Sequence, residues 1–261
     1  MGRESRKIDK TNKAIMKISI IIATWNAAKT LRRCLDSIVS QLTDETELIL
    51  IDGGSKDETN EIIDSYGDKI AVHVSEPDKG VYDAWNKGVR VAKGDWITFI
   101  GADDWMLPDT ISKFLGFFND NGEDYDLICA KLHFVNSKGE VIRDVGEPWN
   151  WKKLIHRSWN LAHPGMLHNR RCFERIGCFD TRYRICGDSD FLQRLGPDIK
   201  TAFISDFLIN MSEGGISDST AAVKEGYVSR KRNKVLPDWV NLLEYSRLVV
   251  KVILGRLKRK L

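Results

Sequence analysis

The 261-residue sequence contains no C-x-x-C pair, and its five cysteines (Cys34, Cys129, Cys172, Cys178 and Cys186) are odd in number and scattered. That argues against a disulfide framework or a zinc site and fits a reducing cytoplasm. No apolar run approaches the roughly 20 residues needed to cross a bilayer. The N-terminus has no signal-peptide apolar region either. Charge of one sign is not in excess. Forty basic against 37 acidic residues leave a formal +3, so composition does not suggest a nucleic-acid partner. The two common phosphate cradles are missing, since no G-x-G-x-x-G follows the first strand pattern and no G-x-x-x-x-G-K-[ST] occurs. Internal repeats and low-complexity segments are lacking as well.

What is present can bury a substantial core. Hydrophobic residues make up 42%, which fits one large domain or one domain plus an appendage. Basic residues gather at both ends, in MGRESRKIDKTNK and LGRLKRKL. Met16 directly precedes the first strand pattern and is a candidate natural start, with residues 1–15 a polar leader expected to be disordered. Residues 17–23, KISIIIA, form a run rich in β-branched residues, as a strand covered on both faces does. Next come Leu31, Cys34, Leu35, Ile38 and Val39 at helical spacing. Residues 47–51 and 96–100 read as further buried strands, 70–74 as a short one, and 57–66 and 81–92 as helices.

Strands alternating with helices imply parallel pairing and right-handed crossovers. The expected fold is α/β and layered, a mostly parallel central sheet flanked by helices. Beyond it, 108–118 reads as a helix, 127–135 and 141–145 as a hairpin around residues 136–139, and 173–176 and 189–195 as helices. The segment 149–159 carries three tryptophans and has no clear type. The last 40 or so residues are mostly helical, broken at Pro237.

The stretch WITFIGADDW ends a buried strand on two adjacent aspartates, Asp103 and Asp104. Such a pair must be hydrated, hydrogen-bonded or paired. Helix capping is one answer; a cation site is another. In an open parallel sheet, ligands sit at the carboxyl ends of the strands. This sequence places there Thr24, Trp25 and Asn26, then Asp52, Gly53 and Gly54, then EPDKG at 76–80, then the two aspartates. Many carboxylates among small residues suit a nucleoside's donors and a hard divalent cation, Mn²⁺ or Mg²⁺. Such a cation often bridges one or two carboxylates to substrate phosphates.

The segments SIIIATWNAAKTLRRCLDSIVSQ, ELILIDGGSKDET, SEPDKGVYDAWNKGVRVAKGDWITFIGADD and HPGMLHNRRCFERIGCFDTRYRICGDSDFLQRL together cover most of residues 17–195. In order and spacing the chain resembles a family 2 glycosyltransferase of the GT-A fold, the group that builds bacterial surface polysaccharides. The resemblance implies a metal-dependent, inverting hexosyl- or N-acetylhexosaminyl-transferase. Its donor would be a nucleotide-sugar, expected to be a UDP-sugar, and its acceptor a hydroxyl of a glycan or lipid-linked molecule.

The resemblance also assigns residues. Thr24 would lie against the nucleotide, Asp52 would accept a hydrogen bond from uracil, and Asp78, Lys79 and Gly80 would line the nucleotide pocket. Asp103 and Asp104 stand at the metal-binding D-x-D. The family commonly reads D-A-D-D there and this chain reads Gly101-Ala102-Asp103-Asp104, so either aspartate can be the direct ligand of Mn²⁺ or Mg²⁺. Asp188 matches the general base, with Asp190 as the alternative. Trp25, Asn86, His163, Gly214 and Gly215 are candidate donor or acceptor contacts.

Blander roles stand beside these. Asp52 can initiate a turn and Asp188 can cap a helix. His163 can be a satisfied turn histidine, and Trp149, Trp151 and Trp159 can be core rather than sugar platforms. The loop at 214–217 can be a mobile donor loop or an ordinary connection. Residues 242–261 have helical spacing, with Glu244, Arg247, Lys251 and Lys258 on one face and Leu242, Tyr245, Val249, Val252 and Ile253 on the other. Such a helix either docks on the domain or lies on an anionic membrane surface.

The expected organisation is a leader (1–15), a catalytic domain (16–212) and a C-terminal loop with basic amphipathic helices (213–261). Within the catalytic domain the nucleotide-binding part ends near 105 and the acceptor side follows. The expected location is the cytoplasm, with the membrane's inner face as the second reading. Two rivals remain. A nucleotidyltransferase shares the plan but carries a Gly-rich, Arg/Lys-containing loop near its start, which TWNAAKT is not. A non-catalytic sugar-nucleotide binder fits the shortened D-x-D. Donor sugar, acceptor and oligomeric state stay open.

Overall fold

Strand β1 (Ile18–Thr24) is buried along nearly its whole length, so its apolar run needs cover on both faces. The computed structural model describes residues 17–156, 162–214 and 219–258, with side chains to 254. The leader, Trp159 and Gly215 lie outside the described residues. Helix α1 (Leu31–Val39) returns the chain to β2 (Thr46–Asp52). Helix α2 (Thr59–Asp64) and a 3₁₀ turn lead to β3 (Val72–Ser75), and α3 (Val81–Val91) leads to β4 (Trp96–Gly101). These four strands are parallel and lie side by side in the order β3-β2-β1-β4.

The second half is mixed. A two-residue strand, β5 (Trp105–Met106), follows β4, and then come α4 (Thr110–Asn121), β6 (Leu127–Val135) and β7 (Val141–Val145). Helix α5 (Trp151–Ile155), β8 (Leu167–Asn169), α6 (Arg170–Ile176), α7 (Gly187–Leu195) and β9 (Thr201–Ser212) complete the sheet. β8 joins the halves, antiparallel to both β4 and β6, while β9 runs parallel to β6 and antiparallel to β5. The expected β6–β7 hairpin is present.

Helices α8 (Thr220–Arg232) and α9 (Asp238–Lys258) form the C-terminal extension. Two apolar clusters cover the sheet. One joins α1, α2 and α4 through Leu31, Ile62 and Phe114. The other joins α3, α6 and α7 through Tyr82, Phe173 and Phe191. The result is a three-layer α/β sandwich. Strand register sets the functional edge: Thr24 is level with Asp52, Asp52 with Ser75, and Ala23 with Gly101.

Candidate active site

A cleft of about 440 Å³ opens at this edge, lined by residues 23–25, Gly53, residues 78–81 and Arg184. Its size falls within the range of small-molecule sites. Trp25 is 70% exposed, leaving a free aromatic face for a planar group. Gly53 lets the Asp78 side chain lie close over it: a Cβ would come within 2.7 Å of the Asp78 Oδ2 atom. The missing side chain brings the Asp78 carboxylate over the strand end, and its Oδ1 accepts from the Gly80 N–H at 2.7 Å. Gly80, at φ 114°, begins α3.

Asp52 lies beneath the cleft rather than in it. Its Oδ1 accepts from the hydroxyls of Thr24 (3.1 Å) and Ser55. Its Oδ2 accepts from the N–H groups of Gly54 (3.0 Å) and Ser55 (2.9 Å), from Asn60 Nδ2 (3.2 Å) and from the Ser75 hydroxyl (2.7 Å). Burial raises the pKa of this carboxyl, but the hydrogen bonds from Ser55, Ser75 and Asn60 outweigh it and bring it to about 2. A carboxylate has about four acceptor directions, and protein donors fill them. The uracil contact expected of Asp52 therefore has no acceptor left. Asp78 is the carboxylate that faces the cleft.

The two aspartates after β4 do different things. Asp104 is 4% exposed. Its Oδ1 accepts from the Ser212 N–H at 2.9 Å and its Oδ2 from the Gly101 N–H at 3.3 Å, tying the turn to β9. Burial first, and then the neighbouring charge of Asp103, push its carboxyl up to about 7. Asp103 keeps an exposed side chain. Its carbonyl oxygen accepts from Arg33 (2.8 Å) and the Ser212 hydroxyl (2.6 Å), while the Arg33 guanidinium stacks 3.7 Å from the Trp105 ring centre. Neither aspartate caps a helix, since β5 intervenes and Asp109 precedes α4.

Among the described residues no cluster of three or more His, Cys, Asp or Glu could cage a metal. A Mg²⁺-type cation needs less, one or two carboxylates plus substrate phosphates. Asp103 and Asp104 come together at Gly101, where a Cβ would lie 2.7 Å from Asp104 Oδ2 and 2.8 Å from Asp103 Oδ1. Two carboxylate oxygens thus lie beside Gly101 at the exit of β4.

Asp188 sits in the first turn of α7, partly exposed. Its Oδ1 accepts from Ser189 N–H at 2.7 Å and faces the Tyr82 hydroxyl at 3.3 Å, close to the cleft-lining start of α3. Asp190, the alternative base, is 3% exposed and turned inward. It pairs with Arg194 at 2.9 Å and accepts from Ser229 and Asn233 of α8 and its C-terminal end. These three donors and its burial hold it away from the cleft lining.

Asn86, His163 and Gly214 do not line the cleft. Asn86 is buried in α3, donating to Phe179 O (2.8 Å) and accepting from Phe179 N–H (2.9 Å), so its amide satisfies both backbone groups of Phe179. His163 is 6% exposed and stacks on Trp85, and burial lowers its pKa to about 4, which keeps it neutral. Trp149 and Trp151 pack against the α3–α7 cluster as partly buried core. Gly214 follows β9 at φ 113°. Sequence reasoning missed Arg184. It is exposed at the cleft, and the only hint is its position just before the ICGD segment.

The family model described as Glycosyl transferase family 2 matches residues 19–182. This chain belongs to that family and is a glycosyltransferase. It is similar to the "PGL/p-HBAD biosynthesis glycosyltransferase" of Mycobacterium bovis (strain BCG / Pasteur 1173P2), with 34% identity over 79% of this chain and 81% of that one. The fold is that of S. aureus TarS 1-349 solved with UDP-GlcNAc (TM-score 0.69, 18% identity, 90% of this chain and 72% of that one). It is also that of the mannosyltransferase PcManGT from Pyrobaculum calidifontis, solved with GDP-Man and Mn²⁺ (TM-score 0.60, 16% identity, 91% and 75%). These matches define the GT-A fold.

Proposed function

We propose that this glycosyltransferase moves a sugar from a UDP-sugar to a hydroxyl of a glycan or lipid-linked acceptor, with inversion, in bacterial surface-glycan biosynthesis. The carrying observation is the cleft itself, where an exposed indole, one carboxylate and two cations meet at the strand ends. Trp25 would stack on the base, Asp78 would accept its N–H, and Lys79 and Arg184 would bind the diphosphate. The solved TarS and PcManGT complexes, with UDP-GlcNAc and with GDP-Man and Mn²⁺, support a nucleotide-sugar donor.

Asp103, beside Asp104, would hold a divalent cation, which when bound supplies charge neutralisation for a departing diphosphate. Asp188 takes the proton from the acceptor hydroxyl as that oxygen bonds to the anomeric carbon. The bond from this carbon to the diphosphate oxygen breaks on the opposite face.

Asp188→Asn tests the reading. Turnover, followed as UDP release, should fall about 10²–10⁴-fold while donor affinity stays nearly unchanged. Asp190→Asn should lower the melting temperature more than the rate. Near-normal turnover in Asp188→Asn would move the base elsewhere. Binding of a UDP-sugar by the wild type without turnover would favour the non-catalytic rival.

A lipid-linked acceptor would need the enzyme at a surface, and α9 supports that. Its inner face docks on α8 through buried Asn241 and Leu248. Trp239, Leu242, Leu243, Val250, Ile253 and Leu254 form an outward stripe, with Trp239 69% and Leu243 61% exposed. From Arg247 to the end the sequence has six Lys or Arg and no Asp or Glu. An apolar stripe with basic residues beside it suits an anionic lipid surface. Among the described residues no helix is long and apolar enough to cross a membrane.

A further inference from the structure

Residues 184–186 join the cleft residue Arg184 to the helix that carries Asp188. The carboxylate of Glu225, on α8, receives three consecutive backbone N–H groups of this segment. They belong to Arg184 (3.0 Å to Oε1), Ile185 (2.8 Å to Oε2) and Cys186 (3.0 Å to Oε2). The opposite side of the segment is held as well: the Tyr82 hydroxyl donates to Ile185 O at 2.8 Å. The Cys186 thiol adds a contact to Ala222 O at 3.2 Å. Gly187 lies flat on Tyr82, since a Cβ there would come within 2.8 Å of the ring. The segment is thus clamped between α3, whose start lines the cleft, and α8, which lies beyond the family match at residue 182.

We propose that Glu225 is a positioning residue that holds Arg184 and Asp188 in register with the donor cleft, which makes α8 a working part of the active site. Charge-assisted hydrogen bonds to backbone N–H are short and strong, and three on consecutive residues fix the path of the chain. Arg184 leaves the clamp toward the cleft; Asp188 follows it in the first helical turn. Releasing the clamp loosens a diphosphate contact and the proton acceptor together. This inference rests on the proposed roles of those two residues.

The experiment is a set of mutant cycles with UDP binding and UDP-release kinetics as separate readouts, on chains whose melting curves show a folded state. Glu225→Ala should lower kcat by about 10²-fold, the scale of a 1 Å misplacement, and Glu225→Gln by less, since its amide oxygen still accepts. In the Asp188→Asn background the further loss on Glu225→Ala should shrink to within about twofold of none. For binding, Arg184→Ala and Glu225→Ala should weaken UDP alike, and the double variant no further. A full, multiplicative loss in both cycles would overturn the proposal and leave Glu225 a general stability contact. So would an unchanged kcat and UDP affinity in Glu225→Ala. If Glu225→Ala does not fold, Glu225→Gln carries both cycles. If Asp188→Asn stays active, the base reading fails on its own, and the UDP cycle alone decides for or against Glu225.

Discussion

Asp52 and Asp78 lie at the same edge of the sheet and do opposite work, which only their neighbours reveal. The Gly-Gly-Ser after Asp52 marks a turn in the sequence, and the turn supplies its donors. No reading of one chain could add Ser75 and Asn60, which reach it from β3 and α2. Because its folded pKa is about 2, below the 3.8 of an ordinary aspartate, the stability it contributes is present above about pH 4 and lost as pH falls toward 2. Asp52→Asn should therefore lower the melting temperature at pH 7 and flatten its fall across that acid range. Asp78→Asn should instead weaken UDP binding in calorimetry and leave the melting temperature nearly unchanged. If Asp52→Asn alone cost UDP affinity, with stability intact, the base contact would return to Asp52.

The paired aspartates divide in the same way. Asp103→Ala should remove the Mn²⁺-dependent part of UDP binding. Asp104→Ala should cost about 1 kcal/mol of stability by leaving the half-buried Ser212 and Gly101 N–H groups without their acceptor. Unfolding curves and calorimetry with and without chelator separate the two. Unchanged metal dependence in Asp103→Ala and Asp104→Ala alike would place the cation elsewhere.

At the scale of elements, the parallel half was legible because β1, β2 and β4 are apolar on both faces and are spaced by helical patterns. The joining strand β8 was not, since three residues carry no period and its pairing depends on distant β4 and β6. Strand β9, TAFISDFLINMS, was missed among polar interruptions that fall where the strand is exposed. Helix α9 was recognised, but its inner and outer faces were merged. The expected apolar face grouped Leu242 and Ile253 with Tyr245 and Val252, whereas the first pair points outward and the second is half-buried. This separation makes substitution a cleaner probe than truncation, which would uncover α8. Leu243→Glu with Val250→Glu should sharply reduce sedimentation with anionic vesicles and leave the melting temperature unchanged. Equal sedimentation of both forms would remove the membrane from the proposal.

At the scale of the whole molecule, the cleft gathers residues from β1, the β2 and β3 exits, α3 and the segment before α7, so a donor bound there would touch the parallel half of the sheet and the segment that leads into α7. A ligand that binds only the folded state stabilises it by about 2.7 kcal/mol at a hundred times its Kd. For a chain of this size that is roughly 5–10 °C in melting temperature. UDP with Mn²⁺ should give a shift of that order, UDP with chelator a smaller one, and Mn²⁺ alone almost none, because Asp103 beside Asp104 would hold a cation only weakly until phosphates complete its shell. A full shift from UDP in chelator would mean that Lys79 and Arg184 carry the diphosphate unaided, and the cation would drop out of the mechanism. A full shift from Mn²⁺ alone would mean a preformed cage, which the described residues do not contain.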